Sequence, residues 1–185
     1  MNNDLLYIDE HGILGSNFYW NHFERYGFTK QDAENVGLTG PRVQIHKDLI
    51  PILKEVDETF QRKFGYRLYI KEGYRSKELY ELVYNKRVEF FGKEETDKLL
   101  NMKDMPHSLG KSIDVALWDE KTNSEVLMRN KADGPDSYMC DFYKNREDEE
   151  GKRYQYLQSE VIEIMKSFNF SLGKKNEFFH FNYLK

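Results

Sequence analysis

Two short strings in this 185-residue sequence place histidine and carboxylate at spacings a divalent metal could use. They are Pro106-His107-Ser108-Leu109-Gly110-Lys111-Ser112-Ile113-Asp114 and Glu177-Phe178-Phe179-His180-Phe181. A catalytic zinc takes three protein ligands from His and carboxylate and keeps a fourth position for water. His107, Asp114 and His180 could be those ligands, and Glu177 could be the base that takes a proton from the metal's water. Parity constrains the arrangement. Side chains alternate along a regular strand, so positions 177 and 180 point to opposite faces. Glu177 must therefore lie before the strand ladder, at the end of the turn Lys174–Asn176, or at a bulge. The interval from His107 to Asp114 has the same parity, eased if His107 sits in a loop and Gly110 lets the backbone bend. Spacing alone leaves satisfied structural histidines and an N-capping aspartate as the competing reading. His11, His22 and His46 have unremarkable neighbours and are read as surface or packing residues.

Elements must hold these residues in place. Apolar positions Leu49, Ile52, Leu53, Val56, Phe60 and Phe64 recur at three- and four-residue steps, which predicts a helix with one buried face. Pro51 fits its first turn, so the helix begins near Asp48 or Leu49. Arg67 to Lys71 reads as a short strand, and Gly73-Tyr74-Arg75-Ser76 turns the chain. Ser76 is placed to N-cap a helix running to about Phe91, with a second short helix from Lys93 to Asn101. Ser112 to Trp118 reads as a strand, and Tyr154 to Phe168 as a helix with one apolar stripe. The acidic run Glu147–Glu150 reads as a solvated loop. Phe170 to Leu172 and Phe178 to Tyr183 close the chain as a hairpin around Gly173-Lys174-Lys175-Asn176. The expectation is one α+β domain, a small, mainly antiparallel sheet flanked by helices. Residues 1–42 are expected to be an irregular segment packed on it, and 43–185 the catalytic domain.

Composition narrows the function. With 28 basic and 32 acidic residues the net charge is −4, which disfavours nucleic acid, whose binding needs an excess of Lys and Arg. The single cysteine, Cys140, excludes an internal disulfide framework, and no cationic neighbour in sequence would activate its thiol. An aromatic content of 15 % argues for a packed core despite 32 % charged residues. No run approaches the roughly 20 apolar residues of a membrane helix. No secretory leader is visible, so a cytoplasmic location is expected.

The string His107-x-x-Gly110-x-x-x-Asp114, followed by Glu177-x-x-His180, resembles the M15 metallopeptidase family. Gly73-Tyr74-Arg75 precedes it, as the family's Gly-Tyr-Arg turn does. Within that family the chain is most similar to VanX-type D-alanyl-D-alanine dipeptidases, over roughly residues 43–183. Those read Gly-Tyr-Arg-Pro, His-Ser-Arg-Gly-Ser-Ala-Ile-Asp and Glu-Trp-Trp-His. The resemblance implies one Zn2+ per chain held by His107, Asp114 and His180, with Glu177 as general base and then general acid. It implies that Arg75 stabilises the oxyanion, a role suited to a planar, permanently charged donor. Asp141-Phe142 resembles a stretch whose Asp receives the substrate's ammonium, with Asp133 and Asp136 as competitors. Departures fall elsewhere. Met105 stands where the family usually has Ser, Ser112 where it has Ala, the chain from Arg75 to His107 is shorter, and the loop between Asp114 and Asp141 is longer. These bear on substrate identity more than on metal binding or hydrolysis.

The expected function is zinc-dependent hydrolysis of a small D-amino-acid dipeptide such as D-Ala-D-Ala. The alternatives are a carboxypeptidase or endopeptidase acting on peptidoglycan stem peptides, or a non-catalytic zinc-binding homologue. The expected partner is a small peptide, with no nucleic acid and no membrane; the oligomeric state is left open.

Overall fold

The structure, a computed structural model, describes residues 4–100 and 102–185. In chain order the elements are β1 (Leu5–Tyr7), β2 (Leu14–Gly15), α1 (Phe18–His22), α2 (Lys30–Asn35), β3 (Gln44–His46), α3 (Leu49–Phe64) and β4 (Arg67–Glu72). Then come α4 (Lys77–Leu99), β5 (Ser112–Asp119), β6 (Ser124–Glu125), α5 (Glu149–Ser167), β7 (Phe170–Leu172) and β8 (His180–Tyr183). The class is α+β, as expected. The larger sheet runs β2-β4-β5-β8-β7, with β6 paired to β5, and β1 and β3 form a second sheet. The pairs β1·β3, β5·β6 and β7·β8 are antiparallel.

Two compact units are distinguished, Met1–Lys47 with Ile70–Ile113, and Asp48–Tyr69 with Asp114–Lys185. In the first, Tyr19, Phe28, Ala33, Leu38, Leu79 and Val83 form a buried cluster edged by Phe18, Trp20, Phe23 and Tyr26. The opening residues, expected to be irregular, thus contribute ordered elements. A capping box in which Thr29 and Asp32 satisfy each other's backbone N–H opens α2, and β1 pairs with β3 in the register Leu5↔His46. Helix α4 starts at the Ser76 cap, whose Oγ accepts from the Leu79 N–H at 3.1 Å. Gly92 (φ 78°, ψ 164°) breaks it, so its two halves are the two helices the sequence suggests. The expected end of the second, Asn101, lies outside the described residues.

In the second unit, α3 begins at Leu49 with Pro51 in the first turn, where a helix has no acceptor for that N–H anyway. Its inward residues Leu53, Val56 and Phe60 are fully buried, and Gly65 (φ 71°) closes it in a left-handed cap. Helix α5 starts earlier than its apolar stripe suggests. Asp148 accepts from the Gly151 N–H at 2.8 Å, and Glu149 and Glu150 form the first turn. The acidic run expected as loop is therefore in part a helix start, because carboxylates complement the positive end of the helix dipole. The hairpin β7–β8 pairs Phe170↔Tyr183 and Leu172↔Phe181. Among the described residues no helix is long and apolar enough to cross a membrane.

Candidate metal centre

His107 lies in a 3-10 turn, Pro106–Leu109, and is buried. The loop placement expected from parity is what the structure has. Gly110 ends the turn at φ 67°, and a β-carbon there would stand 2.9 Å from the His46 amide nitrogen and 2.7 Å from Leu5 Cδ2. Only glycine meets both demands. Asp114 is the third residue of β5, and His180 opens the neighbouring β8.

Ligating atoms of His107, Asp114 and His180 all lie within 4.8 Å of one another, so the three residues named from sequence do come together. The hydrogen bonds around them fit a metal. His107 Nδ1 is 2.7 Å from the Gly73 carbonyl oxygen, which can only accept. Nδ1 therefore carries the proton, and Nε2 keeps its lone pair for a metal. His180 Nδ1 donates to Asp114 Oδ1 at 2.8 Å. A cation taking both atoms replaces that proton. Bonds of about 2 Å in tetrahedral geometry put donor atoms roughly 3.3 Å apart, a separation bracketed by the 2.8 Å pair and the 4.8 Å limit. Two imidazoles and one carboxylate suit zinc and leave room for a fourth ligand.

The His180 ring is seated against a glycine. A β-carbon at Gly173 would come 2.2 Å from His180 Cδ2 and 3.0 Å from Nε2, while the Gly173 N–H donates to the His180 carbonyl at 3.1 Å. Any side chain there must displace the His180 ring or the backbone of residue 173. Gly173→Ala is expected to lower zinc affinity at least 10-fold, the scale of disturbed ligand orientation, with the far-ultraviolet spectrum unchanged. Zinc content after dialysis against a chelator checks it.

Glu177 lies outside the β8 ladder, half-buried, where the sequence required it to be. It forms an isolated antiparallel bridge with Met139, and its carbonyl accepts from the His180 N–H at 3.3 Å. The bridge is flanked by Cys140 N–H to Asn176 O at 2.9 Å and Phe178 N–H to Tyr138 O at 3.0 Å. The segment 138–140 thus holds the backbone around Glu177, a long-range pairing that no local pattern announces. Asp141 follows directly, exposed and at φ 68°. Of its competitors, Asp133 accepts from the Tyr143 hydroxyl at 2.8 Å, and Asp136 is exposed. Burial, with the Asp141 carboxylate beside it, pushes the Cys140 thiol up, against a role as nucleophile.

Arg75 is buried, and sequence reasoning missed what holds it. Its Nε and Nη2 donate to the two carboxylate oxygens of Glu72 at 2.7 and 2.5 Å, a bidentate pair with Glu72 almost wholly buried. The guanidinium carbon lies 4.2 Å from the Tyr80 ring centroid and 4.7 Å from that of Tyr19. Burial works against the charge, but Glu72 and the two tyrosines outweigh it and hold the group well above its ordinary pKa. Nη1 and the second Nη2 proton, three N–H donors in all, have no protein partner among the described residues. The Arg75 backbone N–H donates to the His107 carbonyl at 3.1 Å, tying the arginine to the first candidate ligand.

No protein-family model matches this sequence, and no curated protein is significantly similar to it. Solved structures do share its outline. One is the LdcB LD-carboxypeptidase, described in terms of peptidoglycan recognition, at TM-score 0.48 and 18 % identity over 76 % of this chain. Another is a mutant of the vancomycin-resistance D,D-pentapeptidase VanY in complex with Zn(II), at 0.49 and 15 % over 77 % of this chain and 74 % of that one. A third is the vancomycin-resistance D,D-dipeptidase VanXYg in complex with a D-Ala-D-Ala phosphinate analogue, at 0.47 and 17 % over 97 % of this chain and 66 % of that one. The chain spans 59 % of the length of the first. At such values the chemistry has to come from this chain's own residues.

Proposed function

We propose that this chain is a zinc-dependent peptidase acting on small cell-wall peptides, and that its substrate is a free D-amino-acid dipeptide such as D-Ala-D-Ala. The observation that carries the reading is the donor cluster of His107, Asp114 and His180, with His107 fixed in the ligating tautomer. Zinc, when bound, supplies a Lewis acid for the scissile carbonyl and makes water acidic enough to react near neutral pH. Glu177 then accepts the proton of the attacking water and delivers it to the leaving amine. Arg75, charged at every working pH and with three N–H donors to spare, pairs with the negative charge that develops on the carbonyl oxygen. Asp141 is the residue proposed to receive the free ammonium of the dipeptide.

Hydrolysis of free D-Ala-D-Ala beside its N-acetylated form, by zinc-loaded protein, tests this. Cleavage of the free dipeptide alone is expected. Cleavage of the blocked form would discard the ammonium site and make the protein a stem-peptide carboxypeptidase. If neither is cut while zinc is bound stoichiometrically, the peptidase reading fails and the chain is a zinc-binding homologue.

A further inference from the structure

Tyr80 lies on the first turn of α4, wholly buried, and no sequence motif draws attention to it. Two observations converge on it. Its hydroxyl oxygen accepts from the His107 backbone N–H at 3.0 Å, and its ring carries the Arg75 guanidinium at 4.2 Å. One side chain thus touches both a metal ligand and the candidate oxyanion donor. The turn that presents His107 is also strained. Met105 has φ 41° and ψ 62°, a left-handed conformation rare for a residue with a side chain and disfavoured again by the proline that follows. Strain of this kind persists only where the surroundings over-determine it. Here the Ser108 N–H reaches the Met105 carbonyl at 2.9 Å, the Ser112 hydroxyl donates to the Pro106 carbonyl at 2.8 Å, and Tyr80 holds His107 itself.

We propose that Tyr80 is a positioning residue: its hydroxyl holds the strained Met105–Pro106–His107 turn in the geometry that aims His107 Nε2 at the metal, while its ring separately seats Arg75. The inference rests on the metal-site reading above. Tyr80→Phe keeps the ring that seats Arg75 and removes only the hydroxyl that holds His107.

The test is the zinc dissociation constant of the full chain, by competition with a chromophoric chelator, for the parent, Tyr80→Phe, Met105→Gly and the double variant. Tyr80→Phe should weaken zinc about 10- to 100-fold, the scale of losing an outer-sphere partner. Glycine adopts the conformation of residue 105 without strain, so in the Met105→Gly background the same change should cost less than about 3-fold. A purely structural hydroxyl would cost the same in both backgrounds, and that result overturns the proposal. Parental zinc affinity in Tyr80→Phe overturns it too, as does failure of that variant to fold, which would show the hydroxyl holding the core instead. His107→Ala in the same assay separates the two levels: if it binds zinc as the parent does, the metal site itself is misassigned.

Discussion

Glu177→Gln is expected to lower kcat for peptide hydrolysis by about 10²- to 10⁴-fold, the range set by removing a general base, and to leave one zinc per chain. The second half follows from the backbone. Position 177 is fixed by main-chain pairing with Met139 and by its carbonyl bond to the His180 N–H, and neither uses the carboxylate. An amide of the same shape leaves those bonds in place but cannot take a proton near neutral pH. Initial rates and metal analysis on one preparation check both halves. A parental rate in the amide variant would remove Glu177 from the mechanism, and lost zinc would make it a ligand or a ligand's support.

His180→Ala should have the larger effect on metal. Its ring supplies the donor paired with Asp114, and it is closely seated against Gly173. Without it two protein donors remain, too few to close the three-ligand set of a catalytic zinc site. Affinity should fall by more than about 100-fold, beyond the 10- to 100-fold of a disturbed outer partner, and hydrolysis should fall to background. Stoichiometric zinc in dialysed His180→Ala protein would take His180 out of the ligand set.

The parts of this molecule legible in sequence are those governed by local periodicity or carried by short strings. Helix α3 has the boundary its Pro51 and apolar steps imply, and β7 matches residue for residue. The three candidate metal donors were legible because each sits in a string dense with unusual types. Strand parity left Glu177 either ahead of the ladder or at a bulge, and it lies ahead of it. What stayed hidden depends on contacts far apart in sequence. The pairing of 138–140 with 176–178 and the meeting of Tyr80 with His107 leave no periodic trace. Two misreadings had local signals. Thr29-x-x-Asp32 is a capping box and announces α2, while Asp148 before Glu149 and Glu150 announces α5. In both cases acidic, polar stretches read as loop because no apolar stripe had yet begun.

The buried pair of Arg75 with Glu72 bears on which anions Arg75 would meet in its proposed role. An isolated guanidinium would gather chloride, phosphate and acetate from the medium, and each would compete with substrate. With Glu72 bound through two hydrogen bonds, the pair carries no net charge, so long-range attraction for such ions is small. The N–H groups not bonded to Glu72 keep their directional reach. In the oxyanion role proposed for Arg75, they reward an oxygen that turns negative only as a bond to its carbon forms. A cation compensated in advance therefore selects for charge that is transient over charge that is permanent.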